Sequence, residues 1–439
     1  MDNAVSDYDV RAVRARFPAL RAGAAHFDGP GGSQVPDAVA DAVAAALVAP
    51  LANRGSVTAA ERTADGIVHA ARAAVADLLG ADPAGVVFGR SMTALTFDMA
   101  RTLAATWRPG DEVIVTSLDH DANIRPWVLA ARDVGAVVRW AEFSPRTAEL
   151  TVADVARHLS SRTRLVAVTG ASNLLGTRPP VDLIAAAAHE RDALVFVDGV
   201  HLTAHAPVDV AALGADFYAC SPYKFLGPHC GVLAAAPALL ETLAPQKLAP
   251  SPDTVPERFE LGTLPYELLA GTTAAVDFLA GLAGPGVPPG ASRRERLLAG
   301  MAAVERHEDR LRRRIEDGLA ALSGGAEPDV VRHSRAARRT PTLLLSFPRR
   351  GPDAPQQAYR FLAARGVNAP ASAFYAREAS QRLGFGDAGA LRVGVAPYTD
   401  DEDVDRLLAG LAAFLDAPAG EPRPGVHSDT PPVGGGLPA

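Results

Sequence analysis

The stretch from Ala219 to Gly231, ACSPYKFLGPHCG, decides how the rest of the chain is interpreted. It contains both cysteines, Cys220 and Cys230, and one of the two lysines, Lys224. Lys247 is the other lysine, so nearly all of the 43 basic residues are arginines. The amine of lysine, unlike a guanidinium, can lose its proton and form a Schiff base. A chain that uses lysine so sparingly and keeps one here points to a chemical role for Lys224.

Lys224 follows an apolar, strand-like run and lies among small residues. Removal of water from around an amine lowers its pKa, which makes the amine a better nucleophile at neutral pH. The alternative is that Lys224 is an incidental surface residue. Lys247, in the segment APQKLAP, is interpreted as an exposed loop lysine.

The bulk composition is that of an ordinary globular protein, with 439 residues, 48% hydrophobic residues, 21% charged residues and a net charge of −7. This length predicts two domains, or one large and one small. A mildly acidic chain is not typical of nucleic-acid-binding proteins, which present a basic face. No apolar run reaches the length of about 18 residues that spans a membrane, and the N-terminal residues lack the apolar segment of a signal peptide.

The two cysteines are separated by nine residues, a spacing that fits neither a disulfide scaffold nor a CX2C metal pair. We therefore expect a reducing, cytoplasmic environment and no metal ligand set. Both thiols are interpreted as small buried hydrophobic groups.

Apolar runs alternate with alanine-rich helical patterns from about residue 35 to 280. Seven runs are interpreted as strands: GVVFG, DEVIVTS, VVRWAEF, RLVAVTG, ALVFVDG, DFYACS and GVLAAA. Several are continuously apolar, which indicates strands buried on both faces of a mostly parallel α/β sheet. Ligands of such sheets bind beyond the carboxyl ends of the strands, so the polar residues that follow each strand are the candidates for a site.

The alternating pattern ends at GPGVPPGAS, where a long charged helix and an α+β pattern follow. We predict an N-terminal helical segment over 1–25, a large domain over 26–283 and a small α+β domain over 284–416. The last segment, 417–439, is rich in proline and glycine and is predicted to be disordered.

Asp198 stands at the end of the strand run in LVFVDG, 26 residues before Lys224. A carboxylate at the end of a buried strand requires a cationic partner. Pyridoxal phosphate provides one in its pyridinium nitrogen, while a lysine holds its aldehyde carbon. The alternative is that Asp198 caps the following helix.

Other polar residues follow neighbouring strand runs in the same way. Ser91, Met92 and Thr93 open a helix whose N-terminus suits a phosphate, although an ordinary helix cap gives the same pattern. His120 is placed to lie over a pyridine ring, and Asn173 is placed to reach the ring hydroxyl. Each signal is weak by itself, but their shared position after successive strands favours a pyridoxal phosphate site.

With these motifs in place, the chain resembles the cysteine desulfurase-like branch of the class V aminotransferases. The matching segments run in the family's order from about residue 26 to 415: HFDGPGGSQVP, FGRSMTAL, LDHDANIRPW, GASNLLGT, VDGVH, DFYACSPYKFLGP, ELGT and ALRVGVAPYTDDEDVDRLL. The resemblance implies an α/β fold of fold-type I, with a large domain around a mostly parallel seven-stranded sheet and a smaller α+β C-terminal domain. It also implies an amino acid as the small-molecule substrate and a homodimer with its active site at the subunit interface.

The resemblance implies a role for each matching residue. Lys224 would form the Schiff base and shuttle protons, Asp198 would keep the pyridine nitrogen protonated, and His120 would stack on the ring. The other implied cofactor contacts are Ser91, Met92, Thr93 and Ser221 at the phosphate, Asn173 and His201 at the ring oxygen, Tyr223 beside the lysine and Thr263 at the neighbouring subunit's phosphate. His201 stands where relatives usually have glutamine, and Tyr223 where they often have histidine.

Substrate binding is where the chain departs from the resemblance. Arg392 matches the arginine that binds a substrate α-carboxylate. Asn368, which we take as a second substrate-binding residue, stands where desulfurases have an arginine. The segment GVNAPASAFYARE, Gly366 to Glu378, corresponds to the loop that carries their nucleophilic cysteine, and it contains no cysteine.

We therefore expect an enzyme of the C–S lyase or cysteine desulfurase type that works without the loop cysteine. An aminotransferase and an amino-acid epimerase remain as alternatives. A non-catalytic scaffold is disfavoured because Lys224, Asp198, His120 and Asn173 are all present. An NAD-dependent enzyme is disfavoured because no GXGXXG follows the first strand run.

Overall fold

A computed structural model describes residues 8–284, 286–323 and 328–418. The predicted disordered segment lies almost entirely outside these residues, and so do the first seven residues of the predicted N-terminal segment. The domain boundaries at 25/26, 283/284 and 416/417 remain predictions.

The strands are numbered along the chain. They are β1 Ala25–His26, β2 Val86–Gly89, β3 Glu112–Thr116, β4 Val137–Ala141, β5 Thr163–Thr169, β6 Leu194–Asp198, β7 Phe217–Cys220, β8 Gly231–Ala235, β9 Val331–Arg332, β10 Thr342–Ser346, β11 Val367–Asn368, β12 Ala371–Ser372 and β13 Ala390–Gly394.

The α-helices are numbered in the same way. They are α1 Val10–Ala15, α2 Asp37–Val48, α3 Ala59–Leu79, α4 Met92–Ala104, α5 Arg125–Val134, α6 Val152–Ala156, α7 Val181–His189, α8 Pro237–Glu241, α9 Tyr266–Gly281, α10 Arg293–Leu322, α11 Ala354–Ala363, α12 Arg377–Arg382 and α13 Asp401–Asp416.

The large sheet has seven strands in the order β2-β8-β7-β6-β5-β3-β4. All of its strand pairs are parallel except those that β8 makes with its two neighbours. The predicted α/β class and the mostly parallel seven-stranded sheet are confirmed. Because β2, β3, β5, β6 and β7 point the same way, the segments that follow them meet at one edge.

Helices cover both faces of the large sheet, which explains the continuous apolar runs in the sequence. On β5, Val166 and Val168 are buried in one hydrophobic cluster, whereas Leu165 and Ala167 are buried in the cluster on the opposite face. A strand buried on both faces has no polar face, so its sequence does not alternate.

A second, antiparallel sheet has the order β12-β13-β10-β9. Its core includes the helices α11 and α13 and also Phe27, from near the start of the described chain. The backbone N–H of Phe27 donates to Asn368 at 2.8 Å, and β1 pairs in parallel with β11. The chain therefore packs against the C-terminal sheet before it enters the large sheet. This path brings the segment after β1 to the edge where the site lies.

A buried ion pair fixes the strand that leads to Ser91. Both guanidinium nitrogens of Arg72, on α3, lie 2.9 Å from the carboxylate of Glu260, which also accepts the backbone N–H of Phe88 at 2.9 Å. Arg72 also donates to the carbonyl of Val86. The pair thus ties α3 and β2 to the segment before Thr263.

We predict that Glu260→Ala lowers the free energy of unfolding by about 3 kcal/mol, the lower end of the range for a broken buried ion pair. The loss stays at the lower end because Glu257 still lies 3.3 Å from the Arg72 guanidinium, although the fully buried partner is gone. Denaturation by urea, followed by circular dichroism, measures the loss. Asp133→Ala is the matched control, since it removes an exposed pair with Arg132 at 2.9 Å and costs at most about 1 kcal/mol. Equal losses in the two variants would contradict the assigned role of the buried pair.

Candidate active site

One cavity lies beyond the carboxyl ends of the central strands. It encloses about 550 Å³, counting its open mouth. Ten of the residues singled out from the sequence line it: Ser91, Met92, Thr93, His120, Asn173, Asp198, His201, Ser221, Tyr223 and Lys224. The fold thus brings together side chains from five separate segments, and the roles inferred for them remain predictions.

Lys224 ends a short 3-10 turn, Pro222–Lys224, directly after β7. Its amine donates to the backbone carbonyl of Pro30 and lies 5.0 Å from the centre of the Tyr223 ring. Burial, reinforced by the positive charge of Arg392, lowers the pKa of the Lys224 amine to about 7. A substantial fraction of this amine is therefore neutral, and so nucleophilic, at physiological pH.

Asp198 is buried at the end of β6, the central strand beside β7. Its carboxylate accepts the backbone N–H of Val200 at 2.9 Å, within the turn that follows β6. The next helical segment, Leu202–Ala204, begins after His201, so Asp198 does not cap it. Burial raises the pKa of Asp198 to about 6, although the Val200 N–H and the charge of Lys224 oppose the shift. Asp198 is thus a largely ionised carboxylate that a cationic ligand would stabilise further.

A second buried carboxylate, Asp119, lies behind the cavity and was not identified from the sequence. It accepts hydrogen bonds from Thr116 and, at 2.7 Å, from Asn123. Burial raises the pKa of Asp119 to about 8, and the nearby charge of Asp198 adds to the shift. Asp119 is therefore mostly protonated at neutral pH, which leaves Asp198 as the charged carboxylate of the cavity.

His120 follows β3 and is held by its own backbone turn. Its Nδ1 accepts the backbone N–H of Ala122 at 3.0 Å, so the ring proton is on Nε2. Burial, together with the charge of Lys224, lowers the pKa of His120 to about 4. The imidazole is therefore neutral, as stacking against a positively charged ring requires.

Two cavity residues carry buried polar atoms without a partner among the described residues. The Asn173 side chain donates from Nδ2 to the carbonyl of Phe374 at 3.0 Å, while its Oδ1 has no partner. His201 directs Nε2 to the hydroxyls of Thr340 and Thr342 at 2.9 and 3.0 Å, while its Nδ1 has none. Unpaired buried polar atoms are costly, so they indicate a polar ligand.

The phosphate end predicted from the sequence is a helix N-terminus. Ser91 caps α4 by accepting the backbone N–H of Ala94 at 3.1 Å, so the ordinary cap and the cavity position coexist in one residue. Gly231, on β8, packs directly beneath this turn, where an added Cβ would lie 2.5 Å from the backbone nitrogen of Met92. A side chain at Gly231 would displace the amides that an anion needs.

Arg392 does not line the cavity but contacts the cavity residue Asn173, and its guanidinium already has partners within the chain. Its guanidinium lies 2.7 Å from the Asp28 carboxylate and donates to the carbonyl of Asn173 at 3.2 Å. The ring of Phe374 covers one face of the guanidinium, 3.6 Å from the ring centre. A substrate carboxylate that binds Arg392 would therefore share it with Asp28.

The segment Gly366 to Glu378 contacts the cavity residues Asn173 and His120 through Phe374 and Tyr375. Phe374 and Tyr375 both have positive φ, 51° and 56°, an unusual conformation for bulky residues. The carbonyl of Tyr375 accepts the backbone N–H of Asp121 at 2.7 Å, and its ring lies 5.5 Å from the ring of His120. Two aromatic side chains thus occupy the segment in which the sequence has no cysteine.

Three predicted residues do not line the cavity: Arg392, described above, Thr263 and Asn368. Thr263 is on the exposed surface, so a contact with a phosphate would have to be made in another copy of the chain. The amide of Asn368 lies 3.2 Å from Nδ1 of His26 and does not line the cavity. Their predicted roles therefore remain predictions that this cavity does not support directly.

Both thiols are buried and free. Cys220 is fully buried on β7, and Cys230 is 3.5 Å from the hydroxyl of Thr272. Burial raises the pKa of the Cys230 thiol to about 11 and that of Cys220 further still. Neither thiol is placed or ionised for nucleophilic attack. Lys247 lies in a loop as expected, but it is half-buried. Its amine donates to the carbonyl of Ser251 and pairs with Asp253, both at 2.9 Å.

The residues of the cavity fit pyridoxal phosphate. A buried carboxylate for a ring nitrogen, a neutral amine for an aldehyde, a helix N-terminus for a phosphate and two unpaired polar atoms converge on one space. This combination of groups matches the parts of that cofactor.

The family model described as aminotransferase class-V matches residues 25–407. The chain belongs to this family of pyridoxal phosphate-dependent enzymes, as the sequence analysis predicted.

Individual relatives agree with this assignment. The chain is 34% identical to a probable cysteine desulfurase of Pseudomonas aeruginosa, over 92% of this chain and 98% of that protein. It is 30% identical to the aminotransferase-like protein FGM3 of Gibberella zeae, over 93% of this chain and 99% of that protein. A crystal structure of the cysteine desulfurase CsdA of Escherichia coli, in an S-sulfonic acid form, matches with a TM-score of 0.78 and 27% sequence identity. The match covers 93% of this chain and 98% of that chain. Among the described residues, no helix is long and apolar enough to cross a membrane.

We predict that the Lys224 amine of the cofactor-free protein reacts with an acylating reagent increasingly as the pH rises through about 7. The neutral amine is the reactive form, so reactivity follows its fraction above the lowered pKa. Acetic anhydride labelling at several pH values, read by peptide mass spectrometry, gives the midpoint, with Lys247 as the reference within the same chain. A midpoint near the ordinary lysine value of about 10.4 would contradict the lowered pKa.

Proposed function

We propose that the chain is a pyridoxal phosphate-dependent enzyme that acts on an amino acid, cleaving a bond at the β position, as in C–S lyase chemistry, without a thiol nucleophile of its own. The observation that carries this proposal is that the Lys224 amine, whose pKa is lowered to about 7, and the buried Asp198 carboxylate line one cavity. Bound pyridoxal phosphate supplies an electron sink that stabilises negative charge at the substrate Cα.

The chain's own residues divide the remaining work. Asp198 would balance the charge of the ring nitrogen, and the neutral His120 imidazole would be the aromatic group for the ring. Lys224 would hold the aldehyde group of the cofactor, and its amine would accept or return a proton at the substrate Cα. Arg392 would bind the α-carboxylate in competition with Asp28.

The absence of a placed thiol decides between mechanisms within the class. A desulfurase that forms a protein persulfide needs an accessible cysteine, and both cysteines of this chain are buried with raised pKa values. A sulfur or other leaving group would instead depart directly from the substrate. This favours release of sulfide or another small product over transfer to the protein.

An aminotransferase is the second candidate, supported by the likeness to FGM3, and an epimerase is the third. All three would share Lys224 and Asp198 and differ in what leaves Cα or Cβ. We also propose a cytoplasmic homodimer, in which exposed Thr263 approaches the partner's phosphate site.

The test of the cofactor role uses the two lysines of the chain. We predict that borohydride reduction of the protein incubated with pyridoxal phosphate fixes the cofactor to the peptide containing Lys224 and not to the peptide containing Lys247. Peptide mass spectrometry measures the label. Lys224→Arg abolishes the label, and Lys247→Arg is the matched control that retains it. Label on neither lysine, or on Lys247 alone, would overturn the proposal.

A substrate panel then separates the candidates. Release of sulfide with pyruvate from cysteine, or of ammonia and a keto acid from a β-substituted amino acid, identifies the lyase. Keto acid formed only with an added keto-acid acceptor identifies the aminotransferase, and loss of optical rotation without other product identifies the epimerase.

A further inference from the structure

A row of three buried side chains runs from the cavity to helix α10. His201 lines the cavity, its ring lies 4.6 Å from the ring of His205 in an edge-on contact, and Nδ1 of His205 lies 2.8 Å from the carboxylate of Glu308. All three are buried, Glu308 completely. The row was not visible in the sequence because Glu308 is 103 residues from His205.

Glu308, at the far end of the row, needs a partner for its buried carboxylate. A fully buried carboxylate must have a cationic partner or carry a proton. His205 is the partner that lies against Glu308, and a proton held between them satisfies both groups. Burial raises the pKa of the Glu308 carboxyl, and the His205 imidazole opposes that shift, so the proton of this pair lies between Glu308 and the ring that contacts His201.

His205 also borders a second cavity, of about 260 Å³, that Lys224 and Ser33 share. Its Nε2 has no partner among the described residues. The His205–Glu308 pair thus lies beside two groups of the active site, the His201 imidazole and the Lys224 side chain, without lining the main cavity itself.

The near end of the row is constrained by hydroxyl groups. Nε2 of His201 is occupied by Thr340 and Thr342, so Nδ1 is the nitrogen left for a ligand. Burial lowers the pKa of His201 well below its usual value, and the charges of His205, Lys224 and Arg392 add to the shift. His201 is therefore held neutral at the cavity wall.

We infer that Glu308 and His205 are positioning residues that act through His201, holding it as a neutral hydrogen-bonding group at the wall of the cofactor cavity. This inference deepens the proposed function and rests on it for its catalytic meaning. A glutamine at position 201 could not titrate, so the charge control by Glu308 matters only because this chain has histidine there.

The charged and titratable groups that face the row are few. Beyond the three members, the electrostatic neighbours are Lys224 and Arg392 beside His201, and Glu305, Tyr8 and Tyr398 beside Glu308. Glu308→Gln removes the carboxylate that shares a proton with His205. His205→Gln removes the imidazole while keeping a hydrogen-bonding side chain. Both changes remove the shared proton from beside His201.

The test measures His201 itself in the full-length, cofactor-free protein. Histidine labelled with ¹³C at Cε1 is followed by NMR over pH, and the His201 signal is identified by its loss in His201→Gln. We expect Glu308→Gln and His205→Gln each to raise the midpoint of His201 by about one pH unit, a tenfold change in proton affinity. His189→Gln is the matched control, since it removes a half-exposed His189–Asp216 pair at 2.9 Å and should leave His201 unchanged.

A second arm uses protein that contains pyridoxal phosphate. The pH midpoint of its visible absorbance is measured for Glu308→Gln in the wild-type background and in the His201→Gln background. We expect a shift only where His201 is present, because Glu308 acts through it. An unchanged His201 midpoint in the first arm, or equal absorbance shifts in both backgrounds, would overturn the inference. Failure of cofactor attachment at Lys224 is a separate outcome that concerns the proposed function and leaves the NMR test decisive.

Discussion

The active site depends on a buried carboxylate at the end of a central strand. Asp198 is held in the interior by the edge of the large sheet, where water cannot stabilise its charge. A cationic ligand relieves that cost, and Lys224, one strand away, opposes the shift that burial imposes on Asp198. The same burial lowers the pKa of Lys224. One physical condition, removal of water at the sheet edge, therefore prepares both groups for a cofactor that is positively charged on one side and electrophilic on the other.

The sequence predicted the large sheet and the positions of most cavity residues for a simple physical reason. Strands buried on both faces have continuously apolar sequences. Parallel strands bring the residues that follow them to one edge of the sheet. Ser91, His120, Asn173, Asp198 and Lys224 all follow such runs, so their convergence was predictable. The order of the strands and the antiparallel direction of β8 were not, because they depend on contacts between segments far apart in the chain.

Other parts of the site could not be read from local patterns. The Asp28–Arg392 pair joins residues 364 positions apart, and the Arg72–Glu260 pair joins residues 188 apart. Asp119 stands beside His120 in the sequence, yet nothing local shows that it is buried and mostly protonated. The left-handed backbone at Phe374 and Tyr375 was equally hidden, since neither residue favours that conformation.

The two cysteines and the lysine of the segment Ala219 to Gly231 lie in different environments. Both thiols pack in the interior, where burial raises their pKa values, and the neighbouring amine faces the cavity. Lys224, one of the two lysines, is the residue that we propose to be reactive, and the segment Gly366 to Glu378 presents the aromatic rings of Phe374 and Tyr375 and no thiol. This division fits our proposal of a family member whose chemistry is confined to the cofactor, Lys224 and the substrate.

The most direct measurement of this account is hydrogen exchange at the substrate Cα. A panel of amino acids is incubated in D₂O with the Cys220→Ala/Cys230→Ala double variant containing pyridoxal phosphate, and deuterium at Cα is followed by proton NMR. The account predicts that the double variant exchanges the Cα proton at nearly the wild-type rate and that Lys224→Arg lowers the rate by at least about a hundredfold. Exchange lost in the double cysteine variant while Lys224 still holds the cofactor, or exchange retained in Lys224→Arg, would contradict it.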